Sequence, residues 1–177
     1  YPKIATKVLY SRIFSVNSDL QLQAFDFNYG FKIWEAPSIK VRQFILQYPF
    51  IITENNGVLS ALDFHTGRVL WTQKKQGVLY KGYDDVFLVA SQATVFQLSL
   101  HTGKEVSRNT VPFHPKKIHS FLSKGYLFEN DNQQLFKVKL PQFSATKIIP
   151  IKRATLQRVL RHGAIYKSGG QLYYYSF

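Results

Sequence analysis

Cysteine and methionine are both absent from the chain. Without cysteine there is no disulfide, no thiolate metal site and no cysteine nucleophile. The absence suits an oxidising compartment, and it suits a reducing one as well. Without methionine, Tyr1 is not a translation start, so the sequence reads as a processed product, an excised domain or the ordered part of something longer, with any signal peptide already removed. No apolar run approaches the roughly 18 residues of a spanning helix. Acids are scarce: 10 Asp and Glu stand against 23 Lys and Arg, for a net charge of +13. The scarcity is uneven. Residues 1–112 hold 12 basic and 8 acidic residues, residues 113–177 hold 11 and 2, and no carboxylate side chain follows Asp131.

What is present is strand material. The 177 residues are 45% hydrophobic and 19% charged, with 15 Phe and 11 Tyr among them, which is a globular composition rich in side chains that suit a pleated, half-buried surface. The chain also repeats itself. "FDFNYGFKIW" (25–34), "LDFHTGRVLW" (62–71) and "LSLHTGKEVS" (98–107) align so that Asp26, Asp63 and Ser99 stand four residues before Gly30, Gly67 and Gly103, while Trp34, Trp71 and Ser107 stand four residues after. Self-similarity at this period marks a repeat architecture. Between the glycines apolar residues alternate, as in "VLSALDF" and "TVFQLSL", which is strand rather than helix periodicity. Each phrase then has a mechanical reading: a strand ends, the glycine supplies the positive φ of a tight turn, the Asp or Ser bonds turn N–H groups, and the Trp on the outgoing strand covers the neighbouring unit. Asp63 and Trp71 are expected to be structural. Fainter echoes of "FIITENNGVLSAL" (50–62) occur at 13–25, 86–98, 126–138 and 164–176, giving four full units and a fifth lacking its last strand.

A four-stranded unit with the phrase "GVLSALDFHTGRVLW" (57–71) resembles the PQQ-like repeat of quinoprotein-type β-propellers; the likeness is good at 20–34, partial at 94–107 and degenerate at 135–147. The resemblance implies an all-β fold, a single propeller domain over 1–177 made of four-stranded antiparallel blades at about 7–37, 38–74, 75–112, 113–152 and 153–177. Two forms follow: a small five-bladed ring in which residues 1–6, "YPKIAT", supply the missing strand beside "QLYYYSF", or an arc of a larger propeller. The family holds quinone-cofactor dehydrogenases, a Gram-negative outer-membrane assembly lipoprotein and eukaryotic luminal domains.

The chemistry that a dehydrogenase of this kind needs is not spelled out in these residues. The vicinal disulfide over the cofactor is impossible, and the only adjacent acids, Asp84 and Asp85, read as a solvated turn. His65 and His101 fall at equivalent turn positions, His114 and His119 have no acid or cysteine beside them in sequence, and His162 stands alone. No nucleophile–base or phosphate-loop motif appears. No catalytic residue, metal ligand or cofactor is therefore expected. "IKRATLQRVLRHG" (151–163) has the spacing of a basic amphipathic helix, but "RVLRHGAIYKSGGQLYYYS" (158–176) lies over "FILQYPFIITENNGVLSAL" (44–62), so the repeat phase makes 155–161 the first strand of the last blade.

The functional expectation is a non-catalytic scaffold that binds a protein partner, in an envelope-associated assembly outside the cytoplasm, with the periplasm or, alternatively, a eukaryotic luminal compartment as its location. The candidate docking surface is the basic set Lys137, Lys139, Lys147, Lys152, Arg153, Arg158, Arg161 and Lys167, which would take an acidic partner or would only keep the protein soluble. An anionic membrane surface or, less readily, nucleic acid is the alternative ligand for the same cations. Part of a quinone- or metal-dependent enzyme is the third reading.

Overall fold

The computed structural model describes residues 6–82, 86–111, 115–121, 125–130, 135–139, 144–147, 155–160 and 163–176. Every regular element in them is a β-strand. Five antiparallel sheets follow one another along the chain, each a meander in which sequence neighbours pair. The first comprises β1 (Thr6–Leu9), β2 (Arg12–Val16), β3 (Gln21–Asp26) and β4 (Lys32–Lys40). The second comprises β5 (Gln43–Gln47), β6 (Phe50–Asn55), β7 (Val58–Asp63) and β8 (Val69–Lys74). The third is β9 (Val78–Tyr80), β10 (Val86–Ser91), β11 (Thr94–Ser99) and β12 (Glu105–Thr110), and the fourth β13 (Pro115–Phe121), β14 (Gly125–Asn130), β15 (Leu135–Lys139) and β16 (Ser144–Lys147). The last has three strands, β17 (Thr155–Leu160), β18 (Gly163–Ser168) and β19 (Gln171–Ser176). Thr155–Leu160, within the segment of helical spacing, is thus a strand, because its antiparallel pairing with β18 continues the meander.

Sheets meet face to face. One core gathers Phe14, Leu22, Ala24 and Trp34 of the first sheet with Phe44, Leu46, Ile51 and Leu62 of the second. A second core gathers Ile45, Phe50, Ile52, Leu59 and Ala61 of the second sheet with Leu79, Phe87, Val89 and Leu98 of the third. Successive residues of β5 and β6 therefore serve opposite cores. This is why "QFILQ" and "FIITEN" read as continuous apolar runs rather than as alternation. Burial falls away across the sheet: β5 and β6 are almost wholly buried, whereas β8 and β12 alternate between exposed and half-buried. The first strands of neighbouring sheets approach each other, β5 with β9 and β13 with β17. Inner strands converging while outer strands face solvent is the geometry of propeller blades.

The turn of the repeated phrase is built three times. The N–H of Gly30, Gly67 and Gly103 donates to the carbonyl of Asp26, Asp63 and Ser99, and those residues' own N–H groups donate to Phe31, Arg68 and Lys104. Each glycine has a φ near +70°. A shift of strand register sits just before each turn, at Ala24/Phe25, Ala61/Leu62 and Gln97/Leu98. The echo between 13–25 and 50–62 is displaced by one residue: Val16 pairs with Leu22 but Glu54 with Leu59, so the first hairpin is one residue longer. β4 runs on to Lys40, past the expected end of its blade. Thr6, expected in a closing strand, is the first residue of β1 and pairs with Ser15; the rest of "YPKIAT" lies outside the described residues.

Candidate partner-binding surface

The conspicuous side chains of the repeat are spent on joining blades. Trp34 Nε1 donates to the Phe64 carbonyl at 3.3 Å, and Trp71 Nε1 donates to the Leu100 carbonyl at 2.7 Å. Each indole also lies over a turn glycine of the next sheet: a Cβ on Gly67 would fall 2.5 Å from Trp34 Cε3, and one on Gly103 would fall 2.7 Å from Trp71 Cζ3. Trp34 is buried and Trp71 half-buried. The two tryptophans therefore occupy equivalent inter-blade positions.

Several acids of the first three sheets are likewise engaged in structure. Asp63 Oδ1 accepts from the N–H of His65 and Thr66 and from Thr66 Oγ1. Partial burial raises its pKa, but these hydrogen bonds outweigh it and hold the carboxyl below the ordinary aspartate range. Asp26 Oδ1 accepts from the N–H of Asn28 and Tyr29 in the same way. Glu105 receives Arg108 and Lys75, the latter from the preceding blade, and is held down to about 2 chiefly by the Arg108 hydrogen bond. Lys75 and Arg108 also lie over the Phe96 ring, with Lys75 Nζ 3.5 Å from its centroid. Among the described residues no three of His, Cys, Asp and Glu are placed to hold a metal ion. His65 and His101 sit on exposed turns, where each ring meets an aromatic neighbour, Tyr48 and Phe50.

Of the eight candidate cations, Lys137 and Lys139 lie on β15, Lys147 on β16, Arg158 on β17 and Lys167 on β18, so five are placed on adjacent strands of the fourth and fifth sheets. Lys152, Arg153 and Arg161 lie outside the described residues, as do Asp84, Asp85, His114 and His162. The register divides the five. Lys137 pairs with Leu127 and Lys139 with Gly125, on one pleat of β15, whereas Lys147 pairs with Phe136 on the other. Arg158 opposite Ile165 and Lys167 opposite Leu172 share one pleat of the last sheet. Lys167 is exposed.

Some aromatics lie outside both cores. Phe27, Tyr29 and Phe31, all on the first repeated turn, are exposed, with the Tyr29 and Phe31 rings stacked at 6.3 Å. The signal was legible in retrospect: blades two and three have Thr66 and Arg68, or Thr102 and Lys104, where this turn has Tyr29 and Phe31. At the other end of the chain, Tyr173 stacks on Tyr166 at 5.2 Å, and Tyr174 faces the opposite side, exposed. A cleft of about 420 Å³ lies between Ser38–Lys40 and the β6–β7 hairpin, with Asn55 Oδ1 buried there without a hydrogen-bond partner.

No family model and no curated protein sequence matches the chain. Solved structures do. The crystal structure of BamB from Moraxella catarrhalis overlays 88% of this chain and 54% of its own, at 15% identity and a TM-score of 0.60. The computationally designed Ika8 protein overlays 98% of this chain and 57% of its own, at 12% identity and a TM-score of 0.73. The chain thus spans just over half the length of both. At these identities the likeness concerns the fold: an all-β propeller of four-stranded antiparallel blades.

Proposed function

We propose that this propeller is a non-catalytic scaffold that docks an acidic protein partner on its fourth and fifth sheets, within an envelope-associated assembly outside the cytoplasm. The observation that carries the reading is a division of labour between charges. Asp26, Glu54, Asp63 and Glu105 of the first three sheets close turns or tie blades, while the cation excess gathers on β15 to β18 and the segments joining them, with 11 basic against 2 acidic residues after position 112. Cations placed on paired strands of one sheet and the next are held in register by the strand ladders, which favours steering and register more than raw affinity. The extracytoplasmic location is supported by the repeat's resemblance and by the fold shared with BamB.

The test is association with the partner recovered from the native source. Charge reversal at Lys147, Arg158 and Lys167 is expected to slow association about tenfold or more, and reversal at the exposed Arg68, Lys74 and Lys104 to do much less. Binding should weaken with salt, since the screening length is about 8 Å at physiological ionic strength. Equal effects from the two sets would remove the docking role. Tight binding to anionic vesicles or duplex nucleic acid with no protein recovered would replace this reading with the electrostatic alternative.

A further inference from the structure

The first blade carries the receiving half of a joint whose donor is not among the described residues. In blades two and three the joint is complete: an indole from the preceding blade covers the turn glycine and bonds the carbonyl of Phe64 or Leu100. The equivalent residues of the first blade are Gly30 and Phe27, since Phe27 N–H donates to Ser11 as Phe64 N–H donates to Pro49. Gly30 has the same φ as its counterparts, but a Cβ on it would meet nothing within 4 Å. Phe27 is 56% exposed, whereas Phe64 and Leu100 are each at 1%.

The two halves are also lost together elsewhere. The third blade has Ser107 in place of the donor tryptophan, with its hydroxyl turned to Gln97 of its own sheet, and the degenerate phrase that follows, "LFKVKLPQFSATK" (135–147), has no glycine. Gly30 keeps its half. Both tryptophans of the chain are already committed to Gly67 and Gly103. The opposite end is open too. Leu172 and Tyr174 are 68% and 58% exposed, although Leu59 and Ala61, which follow the equivalent hairpin at the same spacing, are at 0%.

We infer that the turn of Phe27 and Gly30 is an aromatic-binding seat, filled by a further antiparallel blade from polypeptide beyond these 177 residues, whose outer strand lays an indole or similar ring over Gly30 and donates to the Phe27 carbonyl. The chain is then an arc rather than a closed ring. Its coverage of just over half of each overlaid structure leaves room for such a blade.

The test uses the polypeptide as its native gene encodes it. With Phe27→Cys as the reporter, maleimide labelling should be slowed about 100-fold or more relative to Lys104→Cys, because a seated blade must open before the thiol reacts. Labelling at the Lys104→Cys rate would overturn the inference. Gly30→Ala provides an independent readout that leaves Phe27 in place. It should lower the melting temperature as much as Gly67→Ala does; a loss no larger than that of Gly57→Ala, which has only ordinary neighbours at 3.6 Å, would overturn it. A photo-crosslinker at Tyr29 separates the sources of the blade. An intramolecular product supports the inference, and a crosslink to a second copy or to a different protein defeats it.

Discussion

Trp34 and Gly67 lie so close that a methyl group on Gly67 would sit 2.5 Å from the indole ring. The glycine therefore answers to two demands, a φ of +70° and the room taken by a neighbour's side chain.

Gly67→Ala, and likewise Gly103→Ala, is expected to cost about 2–4 kcal/mol, since left-handed strain and overpacking both apply. Gly57→Ala, at φ +78° with its nearest neighbour 3.6 Å away, should cost only the strain, about 1–2 kcal/mol. Urea denaturation of the three variants checks the ordering. Equal losses would mean that the indole yields.

Trp34→Ala should cost about 3–5 kcal/mol and Trp71→Ala about 2–4, the difference following from the fuller burial of Trp34. Trp71→Phe keeps a ring but loses the bond to the Leu100 carbonyl, which isolates about 1 kcal/mol of the total. A change below about 1 kcal/mol for Trp71→Ala, paired with lost partner binding, would make Trp71 a contact residue instead.

Gln43 joins the inner strands of two blades. Its Oε1 accepts from Leu79 N–H at 3.2 Å and its Nε2 donates to the Gly77 carbonyl at 3.1 Å, so the side chain imitates one rung of a ladder between β5 and β9. Gln43→Ala leaves both groups without that partner and is expected to cost about 1–3 kcal/mol in denaturant titration.

The depressed carboxyls set an acid response. A carboxyl with a lowered pKa in the native state contributes stability above its unfolded value and loses it as pH falls through the folded one. For Glu105 the window runs from 4.5 down to about 2. Glu105→Gln should therefore melt below the parent protein at pH 7, with the gap closing across that window. Asp63→Asn should behave in the same sense, because its hydrogen bonds lower the carboxyl's pKa. Melting curves at pH 7 and pH 2.5 test both, and a gap independent of pH would refute the assignment.

Much of the fold is local enough to read from the sequence. Gly30, Gly67 and Gly103 announce turns, Asp26 and Asp63 announce their caps, and the phase of the repeat overrides the helical spacing of Leu156, Val159 and Leu160. What stays hidden is whatever depends on which face has a neighbour. Alternation gives Phe27 and Phe64 the same code, and only the presence of Trp34 over the second turn separates them. The second duty of Gly67 is hidden for the same reason, since its partner lies 33 residues away in sequence. For the basic set, counting charges finds the region, but the pairing of Lys147 with Phe136 puts it on the pleat opposite to Lys137. Spacing in sequence carries no trace of that register.

The second sheet contributes side chains to two cores, one on each face. Such a sheet has little that is its own to hold it together, because its stability is a sum of borrowed interfaces. In these 177 residues on their own, loss of order should then start at sheets with a bare side and travel inward like the unstacking of coins. Amide protons of β6 and β7 should be among the last to exchange, and those of the first sheet's outer face should go well before them.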